Sequence, residues 1–254
     1  MDMHTQDLHP KGPQHALENV ETELDEIMYR ISHDLRASVR ALQELPCWIA
    51  EDLEEAAIRL PVQSSRHLQL LNSHATRLDS MLSGLLEYSR VGRMQSIELL
   101  NPAEVFQEVL DDLSISSRVV VQDLFSDHRL RMGETDLKRL FAILVSNAIK
   151  FHPKRTPHII AKAQALDAAT WQLEVTDDGD GIPKEMRHLI FMPMSKVVSR
   201  DKEEGAGMGL AILKKILRTY GGGVIVDTAE SGQGTTFTLT LPVLAVQSEE
   251  SISV

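Results

Sequence analysis

The sequence predicts two parts: a helical hairpin over residues 17–94 and a layered α/β sandwich over residues 95–245, with polar tails at 1–16 and 246–254. Three observations carry this. Up to Ser89, apolar residues recur at intervals of three, four and seven, the period of packed helices. After Gly92, short β-branched runs mix with helical stretches, the pattern of helices laid on one face of a sheet. Hydrophobic residues make up 43% of the chain but aromatics only 4%, so both cores must be aliphatic.

In the first helix the apolar residues are Val20, Leu24, Ile27, Ile31, Leu35, Leu42, Ile49 and Leu53. Pro46 interrupts that seam and is expected to kink or loosen the helix. The second seam is Leu68, Leu71, Ala75, Leu78, Leu82, Leu85 and Ser89, with spacings of 3, 4, 3, 4, 3 and 4. Such heptads suit a bundle or coiled coil. Residues 59–65, which include Pro61, read as the turn. Two helices joined this way bury one side of each, so the hairpin is expected to form a dimeric four-helix bundle.

Asn101 and Pro102 open the next helix, which runs through Leu113, with Asn101 as N-cap and Pro102 at the first helical position. Strands are expected at 119–124, 159–166, 171–176, 224–228 and 235–241, and helices at 134–150 and 210–220.

A net charge of −11 argues against nucleic acid and anionic membrane as partners, both of which call for a basic surface. The longest apolar runs are short and broken by charges, which excludes a transmembrane span, and the first residues have no apolar signal region. The single cysteine, Cys47, excludes an internal disulfide framework and fits a reducing, cytoplasmic compartment. No His, Cys, Asp and Glu cluster has metal-ligand spacing, and His67 and His152 read as surface residues.

Four places could carry chemistry. His33 lies two residues beyond Ile31, about 200° round the helix and away from the seam, so it faces solvent. Asp34 beside it could hold one ring proton and leave the other nitrogen free to attack. Asp177-Asp178-Gly179-Asp180-Gly181-Ile182-Pro183 follows a strand. It is either an ordinary turn or a bend that admits a ligand, with Asp177 accepting from an exocyclic amine. Gly205-Ala206-Gly207-Met208-Gly209-Leu210 opens a helix, either as a hinge or as a phosphate-binding N-terminus. Neither cluster is a GxxxxGK[ST] loop or a GxGxxG fingerprint. Ser146-Asn147-Ala148-Ile149-Lys150-Phe151 ends a helix, where Asn147 could offer an oxygen to Mg²⁺ and Lys150, three residues on, could reach a phosphate.

Taken together these segments resemble the sensor histidine kinases of two-component signalling. Ser32-His33-Asp34-Leu35-Arg36 resembles their phosphoacceptor box, and residues 85–92 the end of their second hairpin helix. Residues 146–151 resemble the N box, 177–183 and 205–210 the two glycine boxes, 190–193 the box before the ATP lid, and 232–237 the final glycine-threonine box. The match runs from about Asp25 to Pro242 in the family's order. Ser199-Arg200-Asp201 is worded most like the phytochrome-like kinases.

The resemblance implies that the second part is the ATP-binding sandwich shared with gyrase-type and chaperone-type ATPases. Asp177 would bind the adenine amine and Asn147 would hold Mg²⁺. Lys150 would contact phosphate. Gly179, Gly181, Gly205, Gly207, Gly209 and Leu210 would shape the pocket, with Thr236 near the adenine and residues 192–206 as the lid. The γ-phosphoryl group would pass from ATP to His33 and then to an aspartate of a response regulator. The input is expected from a separate sensory protein docking at the N-terminal end of the bundle.

The chain departs from the family pattern at several positions. Ile143 stands where the N box has a polar residue four before its main asparagine, and Met194 where the lid-side box has a second phenylalanine. Ser38 replaces the proline that ends the phosphoacceptor box, and Ala37 replaces the residue that positions a hydrolytic water. These changes imply reduced kinase turnover and weak phosphatase activity. The alternative is a degenerate kinase that serves as a dimeric phosphotransfer or binding scaffold.

Overall fold

The computed structural model describes residues 13–115, 119–122, 129–153, 157–167, 169–195, 206–229 and 233–243. The tail expected at 246–254 lies outside these residues, as does that at 1–16 up to residue 12. The chain forms two compact units, divided after Ser89.

The first unit is a hairpin of α1 (Pro13–Glu55) and α2 (Val62–Arg90). The first helix begins inside the expected tail, with Pro13 in its first turn, where the missing N–H has no partner to lose. It also runs without a break through Pro46, where a kink or loosening was expected. The turn lies at 56–61, earlier than 59–65. Its cause is a helix stop: Ile58 N–H donates to Leu53 O and Ala57 N–H to Glu54 O, with Ala57 at φ 53. This double bond around a left-handed residue is the Schellman closure.

Among the described side chains of α1 the buried ones are Asp25, Ser32, Val39 and Pro46, seven apart. The seam read from the sequence sits elsewhere. Leu24, Ile27, Ile31, Leu35, Leu42 and Ile49 are exposed in the single chain. The buried stripe is one residue on from Leu24, Ile31 and Leu45, and so about 100° round the helix. The hairpin therefore leaves an apolar stripe of α1 uncovered.

The second unit is a two-layer sandwich. In chain order it contains β1 (Glu98–Leu100), α3 (Pro102–Asp112), β2 (Val119–Gln122), β3 (Leu130–Met132) and α4 (Glu134–Phe151). Then follow β4 (Ile159–Ala165), β5 (Thr170–Asp177), α5 (Gly209–Thr219), β6 (Gly223–Thr228) and β7 (Thr235–Pro242). The main sheet has the order β2-β4-β5-β7-β6, and only the β2 and β4 pair is parallel. A separate antiparallel pair joins β1 and β3, each three residues long and too short to show periodicity in the sequence. Asn101 caps α3 as expected, its side-chain oxygen accepting from Ala103 N–H.

Burial alternates along the central strands. Ile159, Ala161 and Ala163, then Trp171, Leu173 and Val175, then Phe237, Leu239 and Leu241 face the helices. Against them pack Phe106 and Leu110 of α3, Leu137, Leu140, Phe141 and Leu144 of α4, and Ile212, Leu213 and Ile216 of α5. Phe106 and Phe141 meet edge to face at 5.1 Å. Each large apolar side chain buried this way contributes roughly 2 kcal/mol.

Residues 90–94 were read as the end of the hairpin, and the chain's contacts group them with this second unit. The Asp136 carboxylate is fully buried and accepts from Gly92 N–H at 2.8 Å, from Tyr220 O–H at 2.9 Å and from Arg139 at 3.0 Å. Gln95 Oε1 accepts from Asp136 N–H, and Tyr220 Oη accepts from Gly133 N–H. Burial, reinforced by the bond to Asp136, pushes the Tyr220 phenol up to about 12. The fold thus holds that proton more tightly than the unfolded chain, whose tyrosines titrate near about 10. The stability from this group is complete below pH ~10 and is lost as pH rises towards ~12. Melting temperatures measured from pH 9 to 11 should fall more steeply for the native protein than for Tyr220→Phe.

Candidate functional site

Asp177 is the last residue of β5 and pairs in register with Thr235, the first of β7. Its Oδ1 accepts from Gly179 N–H at 2.9 Å and Thr235 N–H at 3.3 Å. Burial raises its pKa, and those two donors act the other way. The carboxylate is therefore fixed in direction by the backbone while remaining partly desolvated, as suits a group that accepts from a ligand.

The turn after Asp177 interlocks with the start of β7. Gly234, at φ 93, lies so close to Asp177 that an added Cβ would stand 2.0 Å from the Asp177 carbonyl oxygen. Gly181, at φ 77, lies in turn against the Gly234 carbonyl. Two backbones approach here as only glycine allows.

Two further contacts bring the other boxes to the same end of the sandwich. His152 follows α4 directly, and its Nε2 stands 3.3 Å from Asp178 Oδ1 with the side chain only 9% exposed. Asp178 also accepts from His158 N–H. The surface reading of His152 is thus corrected: it ties the end of α4 to the glycine turn. Its sequence position just after the helix gave the one available hint. On the other side, Ile143 of α4 packs on Gly209 at the start of α5, with 3.5 Å between its Cγ2 and a Cβ built there. The apolar residue that departs from the family pattern joins the two helices of the site.

Asn147 and Lys150 lie in the last two turns of α4, both half-buried, with the Lys150 ammonium 5.5 Å from the Phe151 ring centre. Gly207 lies against the Ser195 backbone, and Leu210 sits in the first turn of α5. Gly205 and most of the expected lid, 196–205, lie outside the described residues. Met194 is exposed, at φ 61.

Thr236 does not share a face with Asp177. Its hydroxyl pairs with that of Thr176 at 2.9 Å, and both belong to the sheet face turned away from the helices. Thr235, buried and paired with Asp177, is the threonine that shares the Asp177 face. Side chains alternate along a strand, so a reading one residue off moves the side chain to the opposite face.

Among the described residues no group of three His, Cys, Asp or Glu could hold a metal ion. A Mg²⁺ ion borne largely by nucleotide phosphates requires little from the protein, and the Asn147 amide oxygen fits that limited part.

In the first unit His33 faces solvent, with its side chain 69% exposed. Its Nδ1 lies 3.2 Å from Asp34 Oδ1, and Tyr29, one turn earlier, stacks on its ring at 6.2 Å. No helix among the described residues is long and apolar enough to cross a membrane.

Residues 132–245 match the family described as histidine kinase-, DNA gyrase B-, and HSP90-like ATPase. Cyanobacterial phytochrome A of Nostoc sp. is 27% identical over 232 residues, covering 90% of this chain and 30% of that protein. The sensor histidine kinase CpxA of Escherichia coli is 28% identical over 227 residues, covering 85% of this chain and 47% of that one. The chain thus spans less than half the length of either relative. Histidine kinase ThkA, solved in complex with response regulator protein TrrA, shares the fold with a TM-score of 0.61 at 19% identity, covering 95% of this chain and 69% of that one.

Proposed function

From a chain that is a relative of the two-component sensor histidine kinases and carries their ATPase domain, we propose an ATP-dependent protein kinase whose phosphoacceptor is His33. The observation that carries this reading is the exposed His33 ring with Asp34 at Nδ1. With the proton held on Nδ1, the Nε2 lone pair is free. Nε2 forms the bond to the γ-phosphorus, the bond to the bridging oxygen breaks, and ADP leaves. The phosphoryl group then passes to an aspartate carboxylate of a response regulator. Asp177 and its turn read the base and Lys150 meets phosphate. Asn147 would hold a Mg²⁺ ion, which would offset charge on the transferring group.

The uncovered stripe of Leu24, Ile27, Ile31, Leu35, Leu42 and Ile49 supports a homodimeric four-helix bundle. We place the protein in the cytoplasm, with a separate sensory protein as its input.

The test is incubation with γ-labelled ATP and Mg²⁺. A kinase gives protein-bound label that is acid-labile and base-stable and that moves to a receiver domain. The packing of Ile143 against Gly209 favours one other reading, a degenerate scaffold, because an apolar side chain there supplies no metal ligand. Nucleotide binding without label identifies that scaffold, and free phosphate without label identifies a plain ATPase.

A further inference from the structure

Arg187 stands outside every box that the resemblance assigns, yet it makes three hydrogen bonds across the pocket end of the sandwich. Its Nη1 donates to Asp227 Oδ1 at 2.6 Å, its Nη2 to Thr228 Oγ1 at 2.6 Å and its Nε to the Ile182 carbonyl at 3.2 Å. The side chain is 19% exposed. The acceptors belong to two different segments. Ile182 follows Gly181 in the turn after β5, and Asp227 with Thr228 ends β6.

These bonds close a ring. Thr228 pairs in register with Thr235, Thr235 pairs with Asp177, and Asp177 leads through the glycine turn back to Ile182. Inside that ring lie Gly181 and Gly234, whose close approach sets the bend. A guanidinium is a rigid fork of donors, so it fixes both distance and direction between the segments. The Thr228 backbone N–H and Arg187 together hold Asp227 below the usual carboxylate range, so the ion pair persists at neutral pH.

We propose that Arg187 is a positioning residue for base recognition. It pins the turn that follows Asp177 to the end of β6, which pairs with β7, and so sets the angle at which the Asp177 carboxylate meets an adenine amine. The proposal rests on the reading of this site as an adenine-nucleotide site. A lysine ammonium lacks the planar fork that holds these three acceptors in fixed directions.

The experiment measures ATP and GTP affinity of the full chain by displacement of a fluorescent ADP analogue, alongside thermal melting. Arg187→Ala should weaken ATP binding about tenfold, the scale of losing charge-assisted bonds, while GTP binding changes little. The preference for ATP over GTP therefore collapses, an effect that general loosening of the fold would not produce. Arg187→Lys should fall between the two proteins. Asp227→Ala should weaken ATP binding by roughly threefold, and the double variant should be no worse than Arg187→Ala, because both remove one interaction. If Arg187→Ala does not fold, the exposed Asp227→Ala carries the test. Native protein that binds neither nucleotide overturns the underlying reading. Native protein that prefers ATP, beside variants that keep the same preference, overturns the role of Arg187 alone.

Discussion

Replacing His33 by glutamine is expected to bring phosphoryl label to background while nucleotide affinity and melting temperature stay as they were. The side chain is largely in solvent, so its loss should change stability by no more than about 0.5 kcal/mol. Glutamine keeps length and polarity but has no nucleophilic nitrogen. Asp34→Asn should leave binding intact and slow labelling by about a hundredfold, since an amide no longer selects the tautomer with a free Nε2. The measurement is single-turnover labelling with γ-labelled ATP, followed by acid and base treatment. Acid-labile label that survives in His33→Gln would place the acceptor on another histidine.

The second large effect belongs to Gly234. In Gly234→Ala a methyl group would stand 2.0 Å from the Asp177 carbonyl oxygen, on a backbone at φ 93. Neither problem is relieved by a side-chain rotation, because the obstacle is main chain. The β7 start must move off β5, which breaks the Thr235 bond to Asp177 and misdirects the carboxylate. We expect a loss of about 3 kcal/mol of stability in the second unit and of more than about a hundredfold in ATP affinity. Gly223→Ala is the control. Its added Cβ would meet only Thr240 Oγ1, at an ordinary 3.6 Å, so melting and ATP binding should be nearly unchanged. Equal effects at the two glycines would remove the basis for the interlocked turn. Calorimetric melting and nucleotide displacement measure both.

Most elements of the second unit were legible because each carries a local signal. The cap at Asn101, the alternation in 171–176 and the apolar face of 134–150 all appear where the sequence put them, within two residues at either end, and β2 starts where it was expected, the last two residues of its expected span lying outside the described residues. What escaped was set by longer range. The β1 and β3 strands are three residues each and exist because they pair with each other. The grouping of residues 90–94 with the second unit goes with a bond from Gly92 N–H to a buried carboxylate 44 residues away. The face taken by Thr236 was set by strand register, which pairs its hydroxyl with Thr176 rather than with the Asp177 side.

The order of the boxes and the solvent phase of His33 were determined by the sequence alone, because both depend on spacing along one chain. So was the amphipathic character of the hairpin. Which stripe of α1 is buried, and which is left uncovered, was not. Two adjacent heptad stripes carry the same period, and only packing distinguishes them. Tertiary structure also decided what Ile143 does. Read along the chain it is a missing ligand, and in space it packs on Gly209 at the start of α5. Arg187 shows the same limit more plainly. Its three acceptors lie five, 40 and 41 residues away, and no local pattern marks a side chain whose partners are assembled by the fold.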